Sequence, residues 1–291
     1  MTDPLIQPWT VTLTASEHDL ILFGLVATAL TLLATLVRVR FSSGESQGTF
    51  RVASLTASAV VALALVSYLT LITTFTLGYI QQPDGTFHPN GIAKYAWELR
   101  YMDWVVTVPL LVIEFVAVSA LASSTATWIR RIGMAAAITM IALGFLGAFV
   151  VDSGQNRVTY TFFGVGAAAC FGLLYALLIS TVRKSLPQLP QSAARPYKAA
   201  IVLLLTTWLL YPIAYGVSGL FASSTAVVIG QLALCVADML AKIGFGTLVH
   251  RTSVLRSRHD DDLDPSTPAR PRSPARDSMY VTDPRTLDFD N

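Results

Sequence analysis

Seven apolar stretches dominate the chain, at about 18–38, 50–79, 93–121, 127–151, 157–182, 197–221 and 224–255. A membrane-spanning helix needs about 20 apolar residues. In hydrocarbon every backbone polar group must be satisfied within its own segment, so such stretches become helices. The breaks carry turn chemistry: SSGESQG at 42–48, QQPDG at 81–85, DSGQN at 152–156 and LPQLPQ at 186–191. The pattern predicts an all-α membrane protein, a bundle of seven transmembrane helices in residues 1–255. Composition agrees. Only 13% of the 291 residues are charged and the mean hydropathy is +0.57, against about 25% charged in soluble proteins. That excludes a disordered chain, a disulfide scaffold and a nucleic-acid binder. Cys170 and Cys235 lie in apolar runs and read as core residues. Residues 1–16 lack the basic start of a cleaved signal peptide.

Lysine and arginine in short loops set orientation. They gather after the first, third and fifth helices (Arg38, Arg40 and Arg51; Arg130 and Arg131; Arg183, Lys184, Arg195 and Lys198), while residues 1–19 have none. The N-terminus is therefore expected outside and the C-terminus in the cytoplasm, with the protein multi-pass in the plasma membrane. Residues 256–291 hold eight acids, six arginines and five prolines. They read as a charged, mostly disordered cytoplasmic tail.

Ionisable residues inside a span are costly and mark function by default. On the third helix Arg100, Asp103, Thr107 and Glu114 share one face. Asp103 and Glu114 lie about 16 Å apart along the axis, as an acceptor and a donor on one proton path would. On the seventh helix Asp238 and Lys242 stand four residues apart among apolar neighbours. They are either a buried structural pair or a lysine whose covalent state matters, since a desolvated lysine readily forms a Schiff base. On the sixth helix Trp208, Tyr211 and Tyr215 share a face beside Pro212. An aromatic stripe is usually packing; beside such a lysine it can also wall a flat conjugated ligand.

Three motifs resemble those of microbial (type I) rhodopsins. They are Arg100-Tyr101-Met102-Asp103-Trp104 with Thr107 and Pro109, Trp208-Leu209-Leu210-Tyr211-Pro212, and Asp238-Met239-Leu240-Ala241-Lys242-Ile243-Gly244-Phe245-Gly246. The resemblance implies all-trans retinal bound covalently to Lys242 as a protonated Schiff base. Asp103 would be counter-ion and proton acceptor, Asp238 the second counter-ion, and Arg100 the organiser of the outward channel. Tyr68, Tyr211 and Thr107 match positions that hydrogen-bond around them. Trp104 and Trp208 would sandwich the polyene. Leu111, Met140, Gly144, Phe163, Gly166, Cys170, Pro212, Tyr215 and Ala241 match further pocket positions. Glu114 occupies the cytoplasmic donor position and must hold its proton in the dark, as burial favours. The trio Asp103, Thr107 and Glu114 resembles that of bacterial outward proton pumps. Relatives form trimers or pentamers, so a homo-oligomer is expected, together with lipid and protons as partners and an open possibility of a signalling partner.

Some positions depart from the family pattern. The glutamate pair of the proton-release group is missing, with Leu220 and Gly230 near its place, and Ser67 replaces the histidine that proteorhodopsins set beside the counter-ion. Phe163 fills a position that is small in carotenoid-binding relatives, so no carotenoid antenna is expected, though Gly164 is adjacent. Leu111 resembles the residue of green-absorbing forms. Arg51 reads as an interfacial anchor, or as an inward-turned modulator of Glu114 like that of the cryorhodopsin subgroup. His18, His88, His250 and His259 are read as lying at termini or in loops, without a metal cluster. The leading expectation is an outward proton pump; the alternative is a photochromic sensor with a slow photocycle. Asp103 disfavours an anion pump, the trio a sodium pump, and Glu114 with Asp238 an inward pump. The motifs of a G-protein-coupled receptor are lacking, and a 36-residue tail is too short for a catalytic domain.

Overall fold

The computed structural model describes residues 5–42, 51–220 and 223–263; side chains at 40–42, 51, 52, 54, 218–220 and 260–263 lie outside that description. Nine α-helices among these residues form seven rods. They are α1 (Ala15–Ser42), α2 (Arg51–Gly78), α3 (Tyr95–Ala117), α4 (Ser123–Phe145), α5 (Arg157–Ser185), a sixth rod of α6 (Gln191–Trp208) and α7 (Leu210–Leu220), and a seventh of α8 (Ser224–Met239) and α9 (Phe245–Leu263). Successive rods pack side by side and α1 closes the ring against α8. Six of the rods contain a span long and apolar enough to cross a membrane. The exception is α3, whose apolar face is interrupted by Glu98, Arg100, Asp103 and Glu114. This is a seven-helix, multi-pass membrane protein.

Local sequence explains the starts and breaks. Thr14 and Glu17 form a reciprocal capping box at α1: the Glu17 N–H donates to Thr14 Oγ1 (3.3 Å) and the Thr14 N–H to Glu17 Oε2 (2.9 Å). Asn156 caps α5 and Ser223 caps α8 through their side-chain oxygens. Pro212 has no N–H for the Trp208 carbonyl, and the sixth rod breaks at Leu209. The seventh rod is interrupted by a π-helical turn, Leu240–Gly244, which contains Lys242. A second π turn, Leu146–Val150, ends α4.

One end of the bundle is covered by a hairpin of β1 (Tyr79–Gln81) and β2 (Phe87–Pro89), antiparallel with Ile80 opposite His88. Leu13 bridges to Phe87, and the strap before it docks through Gln7 Nε2, which donates to the Gly154 carbonyl at 2.6 Å. Gly154 has φ +72°, and a Cβ there would collide with the Ala148 carbonyl oxygen, so only glycine fits. The outer surface is apolar, as at Phe23, Val158 and Phe162, and Arg100, Asp103, Glu114, Asp238 and Lys242 are buried. Two apolar clusters fill the interior, one nearer the hairpin (Ile21, Leu71, Phe75, Trp97) and one toward the opposite end (Val112, Phe115, Tyr197, Phe245).

Two expectations change. His18 does not lie at a terminus or in a loop. It is buried on α1 between the rings of Phe87 (3.9 Å, 6°) and Phe75 (5.0 Å, 19°), because its flat imidazole packs as an aromatic. His250 and His259 sit within α9. The last helix does not end at 255 but runs to Leu263, and buried Thr252 and Ser253 hold its face against the bundle. The rest of the expected tail, 264–291, and the Arg51 and Leu220 side chains lie outside the described residues.

Candidate functional site

Between the two apolar clusters lies a buried layer of two cations and two carboxylates. Lys242 Nζ donates to Asp103 Oδ2 and lies 3.4 Å from Asp238 Oδ1. Asp238 is heavily committed. Its Oδ1 accepts from Tyr211 Oη (2.8 Å) and Trp104 Nε1 (3.3 Å), and its Oδ2 from Tyr68 Oη (2.8 Å), with Arg100 Nη1 at 3.6 Å. Asp103 is less so: Oδ1 is buried with no hydrogen-bond partner among the described residues. Four charges that sum to zero can share a low-dielectric interior, where an uncompensated charge would not be tolerated.

Arg100 is 1% exposed. It donates to Tyr68 Oη (3.3 Å) through Nη1 and to Gln231 Oε1 (2.6 Å) through Nη2, with Cys235 Sγ at 3.8 Å. Thr107 Oγ1 donates to the Asp103 carbonyl at 2.9 Å, which holds the α3 backbone beside Pro109. Eleven residues on, Glu114 is 1% exposed and neither carboxyl oxygen has a hydrogen-bond partner among the described residues. It faces α9, where a Cβ on Gly246 would stand 3.5 Å from Oε1.

An apolar cavity of about 370 Å³ abuts this layer, sharing Trp104 and Tyr211 with it. Trp208, Pro212, Tyr215, Met140 and Gly144 also line it. Leu111, Phe163, Gly166, Cys170 and Ala241 do not. On α5 the wall includes Gly164, Val165, Ala167, Ala168 and Phe171, among them the residues next to the expected positions. A one-residue step turns a helix by 100°. Phe163 instead turns toward Gly147, where an added Cβ would meet its own Cβ at 2.5 Å. Gly164, next to it in sequence, stands in that wall.

The profile of bacteriorhodopsin-like proteins matches residues 18–255. The chain belongs to the bacteriorhodopsin-like family. It is 27% identical over 164 residues to the blue-light absorbing proteorhodopsin of Gamma-proteobacterium Hot 75m4, an alignment covering 54% of this chain and 61% of that protein's length. It is 26% identical to bacteriorhodopsin-I of Haloarcula marismortui, covering 72% of this chain and 80% of the relative. It is 29% identical to sensory rhodopsin III of the same organism, over 52% and 61%. Among solved structures it is similar to xanthorhodopsin, a light-driven ion pump with dual chromophore, with a TM-score of 0.77, 25% identity and coverage of 86% and 98%.

Members of this rhodopsin family bind retinal, and the residues present fit that group. A buried amine, its charge balanced by two carboxylates, is joined through Asp238 to Trp104 and Tyr211, which wall an apolar, aromatic cavity. Gly144 keeps the wall thin, since a Cβ there would press on Tyr101 Cε1 at 3.2 Å. Sequence reasoning missed Gln231, a lone amide seven residues before Asp238 on the same helical face. It also missed Tyr101, Val108 and Tyr160 in the cavity wall. Gln231 was findable by its polarity in an apolar run; the wall residues carry no such mark.

Proposed function

We propose that the protein is a light-driven outward proton pump, with its hairpin end outside and its Glu114 end facing the cytoplasm. The arginines and lysines after α3 and α5 favour that orientation. Lys242 would hold all-trans retinal covalently, and the bound group would supply light absorption and a light-driven change of shape. One observation carries the reading: of the two carboxylates beside Lys242, only Asp103 has an uncommitted oxygen. Asp103 therefore takes the proton, while Asp238 stays an anion within its ring of Tyr68, Tyr211, Trp104 and Arg100. Arg100, drawn between Asp238 and Gln231, screens the acceptor from the outside. Glu114 holds a proton in the apolar half of the bundle and returns it to the Lys242 nitrogen.

A light-induced pH change in an unbuffered suspension of cells supplied with retinal tests this. Protonophore-sensitive acidification is expected, abolished by Asp103→Asn and slowed by Glu114→Gln. A coloured protein that moves no net protons would sink the pump reading. It would favour the second one, a slow photochromic sensor, which the 29% identity to a sensory rhodopsin supports.

A further inference from the structure

Arg256 lies on the last helix, beyond the residues to which the retinal-binding motifs assign a role. It is half-buried, and its Nη1 donates to the carbonyls of Val118 (3.0 Å) and Ser119 (2.7 Å). These carbonyls close α3, where a helix leaves its last acceptors unsatisfied and presents the negative end of its dipole. A cation there makes charge-assisted hydrogen bonds. The cap comes from 137 residues away in the sequence, so it is a tie between two helices and not a local finish to one.

Those two helices enclose Glu114. It projects from α3 four residues before Val118, about 6 Å along the axis, and faces Gly246 of α9. Phe115, stacked on Tyr197 at 4.7 Å and 2°, fills the space beside it. The same end of α3 is held from a third side, where the Ala120 N–H donates to Ser185 Oγ of α5 at 3.3 Å. The tie therefore lies at the end of α3 that Glu114 is near.

We propose that Arg256 is a positioning residue of proton uptake: its bonds to the Val118 and Ser119 carbonyls latch α3 to α9 and set how fast the inward path to Glu114 opens. The proposal rests on the proton-transfer reading above. A plain helix cap would stabilise the fold without governing uptake.

The test uses the full chain with retinal in liposomes, as Arg256→Ala and, should that variant fold poorly, Arg256→Gln, with Arg256→Lys as the charge-retaining control. Flash spectroscopy follows the return of the proton to the Lys242 nitrogen, and a pH dye follows the time for a proton then to be taken up from the Glu114 end. Losing a charge-assisted bond should shorten that time about tenfold or more. It should do so in both the native and the Glu114→Gln backgrounds, with the dark colour unchanged and Arg256→Lys close to native. Amide hydrogen exchange at residues 118–121 should rise in the dark, with or without retinal. An unchanged or lengthened time, a shifted dark colour, or unaltered exchange would overturn the latch. Failure of the donor reading shows separately, as a Glu114→Gln variant that returns the proton at the native rate.

Discussion

Arg100 Nη2 donates to Gln231 Oε1 at 2.6 Å, joining α3 to α8 on the hairpin side of the buried charges. The guanidinium is thereby held between an anion, Asp238, and a neutral amide. An arginine with two anions would be locked; one with a single anion and an amide can shift its allegiance when the charge on Asp103 changes.

Gln231→Leu removes this anchor and leaves a buried guanidinium N–H unpaired. An unsatisfied buried donor costs about 1–3 kcal/mol, so the pigment should bleach at lower temperature or denaturant. Arrival of the proton outside should also change in timing, read with a pH dye. A variant as stable as the parent, with unchanged release, would show that Arg100 does not depend on the amide.

Glu114 lacks any described hydrogen-bond partner, and the space on α9 nearest it belongs to Gly246. A Cβ there would sit at ordinary contact distance, 3.5 Å from Oε1 and 3.9 Å from the Ala57 Cβ. Gly246→Ala should therefore fold and keep its colour. Gly246→Ser adds a hydroxyl within reach of the carboxyl, and a donor favours the anion left after proton transfer. Return of the proton to Lys242 should speed up severalfold in the serine variant, and not in the alanine one, by flash spectroscopy.

Gly147 tests the cavity wall. Its substitution by alanine would place a Cβ 2.5 Å from the Phe163 Cβ and 3.0 Å from the Tyr215 hydroxyl. Both belong to packed elements, so α5 or Tyr215 must shift by several tenths of an ångström. The expected result is a lower yield of coloured protein and a displaced absorption maximum. Gly172→Ala, which meets nothing within 4 Å, should leave both unchanged.

The hairpin turn gives a pH prediction away from the bilayer core. Asp84 Oδ1 accepts from the Thr86 N–H (2.9 Å) and hydroxyl (2.6 Å), which hold its carboxyl below the usual range. Because the folded value is lowered, the support is full above the unfolded value of about 3.9. It is lost as pH falls through the folded value. Thr86 amide exchange should quicken over that acid window, and Asp84→Asn should abolish the pH dependence.

The fold was legible because its signal is gross: apolar runs of bilayer length with turn residues between them. The ionisable faces of α3 and the seventh rod were legible for the opposite reason, since each charge stood out against hydrocarbon. What escaped has physical causes. Gln231 meets Arg100, and Arg256 meets Ser119, across 131 and 137 residues, and no local pattern announces such a pair. On α5 the cavity is lined by Gly164, Val165, Ala167, Ala168 and Phe171, next to the expected Phe163, Gly166 and Cys170. A featureless apolar helix offers little to pin its rotation. The continuation of α9 past 255 to Leu263 was hidden by its polar composition, which reads as a tail.

The π turn at Leu240–Gly244 has a consequence for how this lineage can change. Such a turn carries one residue more than the regular helix around it requires. Deleting one residue from Leu240 or Ala241 would let α8 and α9 join without interruption, and the membrane rod would survive. The lysine, though, would be turned by about 100° relative to the rod before it, away from Asp103. A single codon loss there would thus separate two inheritances, leaving a bundle that still inserts and a pigment that no longer forms.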